Sequence, residues 1–133
     1  MEINKEIINI NNMRAIKIDV EKKDIYEIDI SEDWKEISKV LNCQYFDIVI
    51  PSLFGNNGDC LYIDDEGLLL EKPLGAFSIT TYPQVLSGNG LILGTKGEGE
   101  SDNAKIPLDL IKREVSFRFP QELPEPGFKF YSL

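Results

Sequence analysis

Three consecutive carboxylates, Asp64-Asp65-Glu66, form a compact group of potential metal ligands. A calcium-binding loop spaces its oxygen ligands at alternate positions over about 12 residues and ends in a glutamate. This run is too short for that spacing, and Gly67 follows it directly, as is typical of a tight turn. We therefore predict a solvated turn between two strands and no metal site.

Two glycine-rich stretches, Gly88-Asn89-Gly90 and Gly94-Thr95-Lys96-Gly97, contain the small residues that a backbone cradle for phosphate uses. Neither has the Gly-Lys-Ser/Thr ending of a phosphate-binding loop or the dinucleotide fingerprint at a strand-to-helix turn. The carboxylates of Glu98, Glu100 and Asp102 would repel phosphate nearby. Binding or sequestering of a nucleotide-type small molecule therefore stays an alternative function, and no cofactor is predicted.

The chain has no histidine, which removes the commonest general base, the commonest metal ligand and every Ser–His or Cys–His pair. Its two cysteines, Cys43 and Cys60, also lack CxxC spacing. We expect both thiols to be reduced, with Cys43 a small core residue. No catalytic residue can be assigned, and the protein is expected not to be an enzyme.

The 23 acidic and 14 basic residues give a net charge of -9, which disfavours direct nucleic-acid binding through phosphate neutralisation. An acidic DNA-mimic inhibitor, whose carboxylates imitate phosphate spacing, is a further alternative. Such mimics concentrate their charge, whereas here residues 1–60 have a net charge of -5 and residues 61–133 a net charge of -4. An even spread of this kind is typical of charge that serves solubility.

The elements that must position these residues follow two periodicities. Alternation of apolar and polar residues predicts a hairpin of strands at 14–20 and 25–30 with one solvated face. Helical spacing then predicts a helix over 31–42, with Ser31 or Asp33 as its cap and Asn42 at its end. The residues expected to face inward from this helix are Trp34, Ile37, Val40 and Leu41.

The remaining elements are shorter. We predict a buried strand at 45–50, a hairpin of 61–63 with 68–70, mostly loop over 71–90 with a helical turn near 74–77, and a strand at 91–93. Residues 96–103 are predicted to be an exposed loop, and Pro107 opens a helix. Residues 114–119 fit a helix or a closing strand. The pattern predicts an α+β fold with a curved, mainly antiparallel sheet and one or two helices on one face. This fold would form one small domain over 13–119, preceded by an extension over 1–12 and followed by an aromatic segment with several prolines over 120–133.

Segment 71–90 and the aromatic C-terminal segment are the candidate contact regions. Long ordered loops are uncommon unless they are functional, and hydroxyl-rich loops suit hydrogen bonding to a ligand. The near-alternating aromatic residues at the end could add a strand to a sheet edge, with docking on their own domain favoured over docking on a partner. The candidate contact residues are Ser78, Thr80, Thr81, Tyr82, Gln84, Asn89, Phe128, Phe130 and Tyr131.

Several motifs together resemble a known family: the start Met13-Arg14-Ala15-Ile16-Lys17, an early helix, the hairpin Leu61-Tyr62-Ile63-Asp64-Asp65-Glu66-Gly67-Leu68, and Gly90-Leu91-Ile92-Leu93-Gly94 followed by Glu98-Gly99-Glu100. Over roughly residues 13–119 the chain is similar to the domain of unknown function 3846 family, small proteins of bacterial phages, plasmids and conjugative elements. The resemblance implies a setting on a mobile genetic element. It implies no reaction and no catalytic residue.

The expected function is therefore that of a non-enzymatic accessory protein of a bacterial mobile genetic element, which binds a host or element-encoded protein. No apolar run approaches the roughly 20 residues of a membrane span. The acidic start, interrupted by asparagine, differs from a secretory signal, so a cytoplasmic location without membrane contact is expected. Self-association stays open.

Overall fold

The computed structural model describes residues 12–54, 58–70, 72–97 and 99–124. The strands in chain order are β1 Met13–Asp19, β2 Asp24–Ile30, β3 Phe46–Ile50, β4 Asp59–Asp64, β5 Ala76–Ile79, β6 Leu86–Ser87, β7 Gly90–Lys96, β8 Glu100–Asp102 and β9 Val115–Arg118. The helices are α1 Trp34–Leu41 and α2 Leu108–Glu114, and short 3-10 turns lie at Gly67–Leu69 and Pro120–Glu122. This is the predicted α+β class.

Two antiparallel sheets contain these strands. The main sheet has the order β2-β1-β7-β4-β3, with β8 paired to the end of β7, and the small sheet has the order β6-β5-β9. The predicted hairpin is confirmed as β1 and β2, which pair from Met13 with Ile30 to Asp19 with Asp24. The strands predicted at 45–50, 61–63 and 91–93 are β3, β4 and β7.

Helix α1 covers one face of the main sheet. The residues packed together with Ile37 and Leu41 come from three strands: Met13, Ala15, Ile30, Leu91 and Leu93. The alternation pattern predicted that one face of the hairpin is solvated. In the structure, α1 covers that face at Ala15, which has no exposed surface. A pattern of period two reports which residues share a face, but it does not report what packs on that face.

The other face of the main sheet carries the larger core. Ile16, Ile18, Leu61 and Ile92 point into it, and the small sheet and Ile111 of α2 close it, with Phe77 fully buried at the centre. The main sheet thus has a helix on each face, where the sequence pattern placed the helices on one. The two helices are 66 residues apart along the chain, so no local signal specifies their sides.

Three local predictions were wrong. Residues 68–70 are not a strand, because the chain makes a 3-10 turn at Gly67–Leu69. Residues 74–77 do not form a helical turn, because Ala76–Ile79 is a strand paired to β9. The loop predicted at 96–103 contains β8, which pairs with β7. The open choice at 114–119 is resolved as a strand, Val115–Arg118, that follows α2 without a break.

In each of the two edge strands of the main sheet, β2 and β3, one outward backbone N–H group donates a hydrogen bond to a carboxylate of the same strand. Antiparallel pairing leaves alternate backbone groups of an edge strand facing away from the sheet, among them those of Ile25 in β2 and Ile48 in β3. The Asp24 carboxylate accepts the N–H of Ile25 at 2.8 Å, and that of Asp47 accepts the N–H of Ile48 at 2.8 Å. An occupied donor is not free to pair with another strand.

Neither helix among the described residues is long and apolar enough to cross a membrane.

Candidate functional site

Asn89 and Tyr82, two of the predicted contact residues, are committed to the fold. Asn89 is 1% exposed, and its Oδ1 accepts the backbone N–H of Val20 at 2.9 Å, which fastens the end of β1. The Tyr82 side chain is 4% exposed and belongs to the larger core. Both residues stabilise the structure around segment 71–90.

The other predicted residues of this segment have mixed surroundings. Ser78 lies in β5 opposite Ser116, and Thr80 is exposed with its N–H donated to the carbonyl of Glu114. Thr81 Oγ1 and Gln84 Oε1 are buried atoms without a hydrogen-bond partner among the described residues, so water or a ligand could satisfy them. Their role in ligand contact stays a prediction, and Phe128, Phe130 and Tyr131 lie outside the described residues.

The glycines of the late strand allow close packing. A Cβ atom on Gly94 would lie 2.2 Å from the carbonyl oxygen of Asn103, a distance that no side chain tolerates. A Cβ on Gly90 would lie 3.0–3.2 Å from atoms of Phe77, Leu61 and Ile18. These contacts explain both glycines without a phosphate, because each permits a close approach to β7.

The thiols are held in their protonated form. Burial, together with the charge of Asp64, raises the pKa of Cys43 to about 11. Burial also raises the pKa of Cys60, whose Sγ donates to the carbonyl of Pro51 at 3.3 Å. Since the thiolate is the reactive species, neither environment activates a nucleophile at neutral pH.

The predicted solvated turn is confirmed at Asp65 and Glu66, whereas Asp64 is the buried last residue of β4. Asp64 is 9% exposed and accepts the N–H of Glu66 at 2.9 Å, and burial raises its pKa. Within the described ranges, no three Cys, Asp or Glu side chains are grouped so that they could hold a metal ion.

The exposed side of α1 combines a tryptophan with a surface depression. Its side chains border a shallow, open depression of about 590 Å³, which we call the α1 outer face: Trp34, Lys35, Ser38, Lys39, Asn42, Cys43 and Gln44. Trp34, the single tryptophan of the chain, is 60% exposed there. The prediction that it packs inward was wrong, because the buried stripe is centred on Ile37 and Leu41 and Trp34 lies at its margin in the first turn.

Both ends of α1 are fastened. At the start, the Asp33 side chain accepts the N–H of Lys35 at 3.0 Å. The Glu36 carboxylate accepts the Ser31 hydroxyl at 2.6 Å and the Ser31 N–H at 3.1 Å. At the end, Asn42 adopts the left-handed conformation, with φ 55°. These caps satisfy backbone groups that a short helix would otherwise leave unpaired, so the α1 outer face is a preorganised surface.

The sequence contains a second helical pattern that indicates this face, beside the apolar pattern to which Trp34 was assigned. Trp34, Lys35, Ser38, Lys39 and Asn42 follow the spacing i, i+1, i+4, i+5 and i+8, which is one side of a helix. Tyr45, 56% exposed, comes shortly after the helix. A single tryptophan at the border of two stripes fits either side, and only packing decides between them.

A family model described as a domain of unknown function, DUF3846, matches residues 13–115. The chain belongs to this family. The match begins at the first residue of β1 and ends at the first residue of β9, so it includes α1, its outer face and the whole main sheet. No curated protein and no solved structure matched the chain.

Proposed function

We propose that this DUF3846 protein is a non-enzymatic accessory protein of a bacterial mobile genetic element, and that it binds a host or element-encoded protein through the α1 outer face. The observation that carries the docking site is Trp34, 60% exposed on a capped helix whose opposite side is packed on the sheet. The mobile-element setting rests on the family resemblance alone.

An exposed tryptophan on a fixed backbone suits a binding hot spot. Tryptophan and tyrosine are enriched among the residues that contribute most to protein–protein affinity. Covering the exposed part of the Trp34 indole, on the order of 100–150 Å², would contribute about 2.5–4 kcal/mol. The backbone of α1 is already ordered, so little conformational entropy is lost when a partner docks.

The shape of the α1 outer face favours a protein over a small molecule. Small-molecule sites are clefts that enclose most of the ligand surface. The depression beside Trp34 is shallow and open, so a nucleotide would remain largely in water. A protein surface gains area by extending past the depression.

Several carboxylates of the described residues are buried or bonded to other groups of the chain, which weakens the DNA-mimic alternative. Asp59 and Asp64 are buried, Asp24 and Asp47 accept backbone N–H groups at sheet edges, and Glu122 is paired with an arginine. A mimic needs its carboxylates free and aligned toward a DNA-binding protein.

Site-specific photo-crosslinking of the full chain in its bacterial host tests the proposal. A photoreactive amino acid at position 38, on the α1 outer face, should capture one defined protein that the same group at position 112, on α2, does not. The captured protein is then purified, and its affinity is measured by titration calorimetry.

In that titration, Trp34→Ala should weaken binding about a hundredfold or more. The matched control is Phe119→Ala, which removes an aromatic side chain that is 69% exposed outside the α1 outer face, and it should leave the affinity unchanged. Equal affinity for Trp34→Ala and the unaltered protein, or crosslinking confined to position 112, would overturn the proposal.

A further inference from the structure

The α1 outer face differs in charge from the acidic chain around it. Its border contains two lysines, Lys35 and Lys39, and no carboxylate, although the chain has 23 acidic and 14 basic residues. Four cations of the described residues form ion pairs, namely Arg14, Lys17, Lys105 and Arg118. In the described part of the chain, neither lysine of the face forms an ion pair.

The spacing of the two lysines defines what could face them. Lys35 and Lys39 are about one helical turn apart, so their side chains leave the helix from points roughly 6 Å apart on one side. Carboxylates four residues apart on a helix, or two apart on a strand, have a similar separation. The Lys35 ammonium lies 5.8 Å from the centre of the Trp34 ring, so an apolar contact is available next to the charges.

We infer that the α1 outer face takes an acidic segment of a partner protein, with carboxylates opposite Lys35 and Lys39 and an apolar side chain against Trp34. This inference rests on the proposed function, which places the docking site on this face. Each exposed ion pair contributes little to affinity, so the lysines set the register and the partner choice while Trp34 provides most of the contact energy.

The remainder of the molecule makes this recognition selective. A net charge of -9 repels acidic proteins in general, so an acidic segment binds only where the lysines and the indole meet it together. The same net charge repels the phosphate backbone of a nucleic acid, and two lysines can neutralise only a few of its phosphates. An acidic protein segment is therefore favoured over a nucleic-acid strand, which becomes an outcome of the test.

Fluorescence anisotropy with defined probes measures this preference. The probes are a labelled peptide of alternating Asp and Leu residues, its Lys–Leu counterpart, and a single-stranded oligo-dT of equal length. The full chain is compared with K35E/K39E and with K112E/R113E, which makes the same change in net charge on exposed residues of α2. K35Q/K39Q is a second, milder variant of the face, and thermal unfolding confirms that each variant is folded.

We expect the Asp–Leu peptide to bind the unaltered chain and K112E/R113E equally, and to bind K35E/K39E about tenfold more weakly. Equal weakening in both charge-reversed variants would show that only net charge matters and would overturn the inference. Preference for the Lys–Leu peptide or for oligo-dT, or no binding of the Asp–Leu peptide, would also overturn it. If the crosslinked partner requires Trp34 but binds K35E/K39E normally, the proposed function stands and this inference fails.

Discussion

Asp59 offers the sharpest test of how the fold is held together. This first residue of β4 has no exposed surface. Its carboxylate accepts the N–H of Lys105 at 3.0 and 3.1 Å and that of Ile106 at 2.7 Å. These bonds fasten the segment that leads into α2 to the main sheet. Asp59→Ala therefore leaves two backbone donors without this acceptor, one of them buried.

The expected loss follows from those contacts. A hydrogen bond to a charged acceptor contributes about 1.5–3 kcal/mol, so two donors predict a loss of about 3–6 kcal/mol in the free energy of unfolding. Domains of this kind have about 5–15 kcal/mol in total. In urea denaturation the midpoint should fall by roughly 2 M with little change in slope.

Two further variants sharpen the test. Asp59→Asn retains an acceptor oxygen and should lose less stability than Asp59→Ala, because its amide group can satisfy only part of the set. Asp65→Ala removes an exposed carboxylate nearby in the sequence and should change stability by less than about 0.5 kcal/mol. If Asp59→Ala costs no more than Asp65→Ala, the bonds to the segment before α2 do not stabilise the fold as argued.

Three other outcomes are expected. Burial raises the pKa of Asp64 above its ordinary 3.8, so its contribution to stability is present while the carboxyl group is protonated and is lost as the pH rises through the folded pKa. Asp64→Asn should therefore stabilise the protein against urea at pH 7 and have no effect well below pH 3.8. A stability difference that does not change with pH would contradict this. With a pKa of about 11, Cys43 in a Cys60→Ser background has about a hundredfold less thiolate at pH 8 than a thiol of pKa 9.0. Because a thiolate of higher pKa is more nucleophilic, its reaction with iodoacetamide should be about tenfold slower, and labelling at the rate of a free thiol would refute the shift. Asp24→Ala and Asp47→Ala together free an outward N–H group on each edge strand. Light scattering should then detect association of the double variant at high concentration, which the unaltered protein does not undergo. An unchanged mass would show that these carboxylates do not protect the sheet edges.

Of the candidate site, the sequence predicted the helix but not the side that faces solvent. Asp33, Asn42 and the Ile37–Leu41 stripe were sufficient for the helix, because caps and helical spacing act between residues a few positions apart. The exposure of Trp34 depends on which strands lie beneath α1. Those strands include β7, about 50 residues further along the chain, so the helix sequence alone could not assign it.

By itself, the sequence determined the family, the α+β class, the first hairpin, α1 and the turn at Asp65 and Glu66. Each of these depends on residue types and spacings within a short stretch, where backbone preferences and period-two or helical patterns act directly. Only the tertiary structure decided that β5 pairs with β9, that Asn89 holds Val20, and that Gly94 lets β7 approach the carbonyl of Asn103. The Asn89 and β5–β9 contacts join residues tens of positions apart, and the Gly94 contact depends on the pairing of β8 with β7, so none of the three follows from a local sequence pattern.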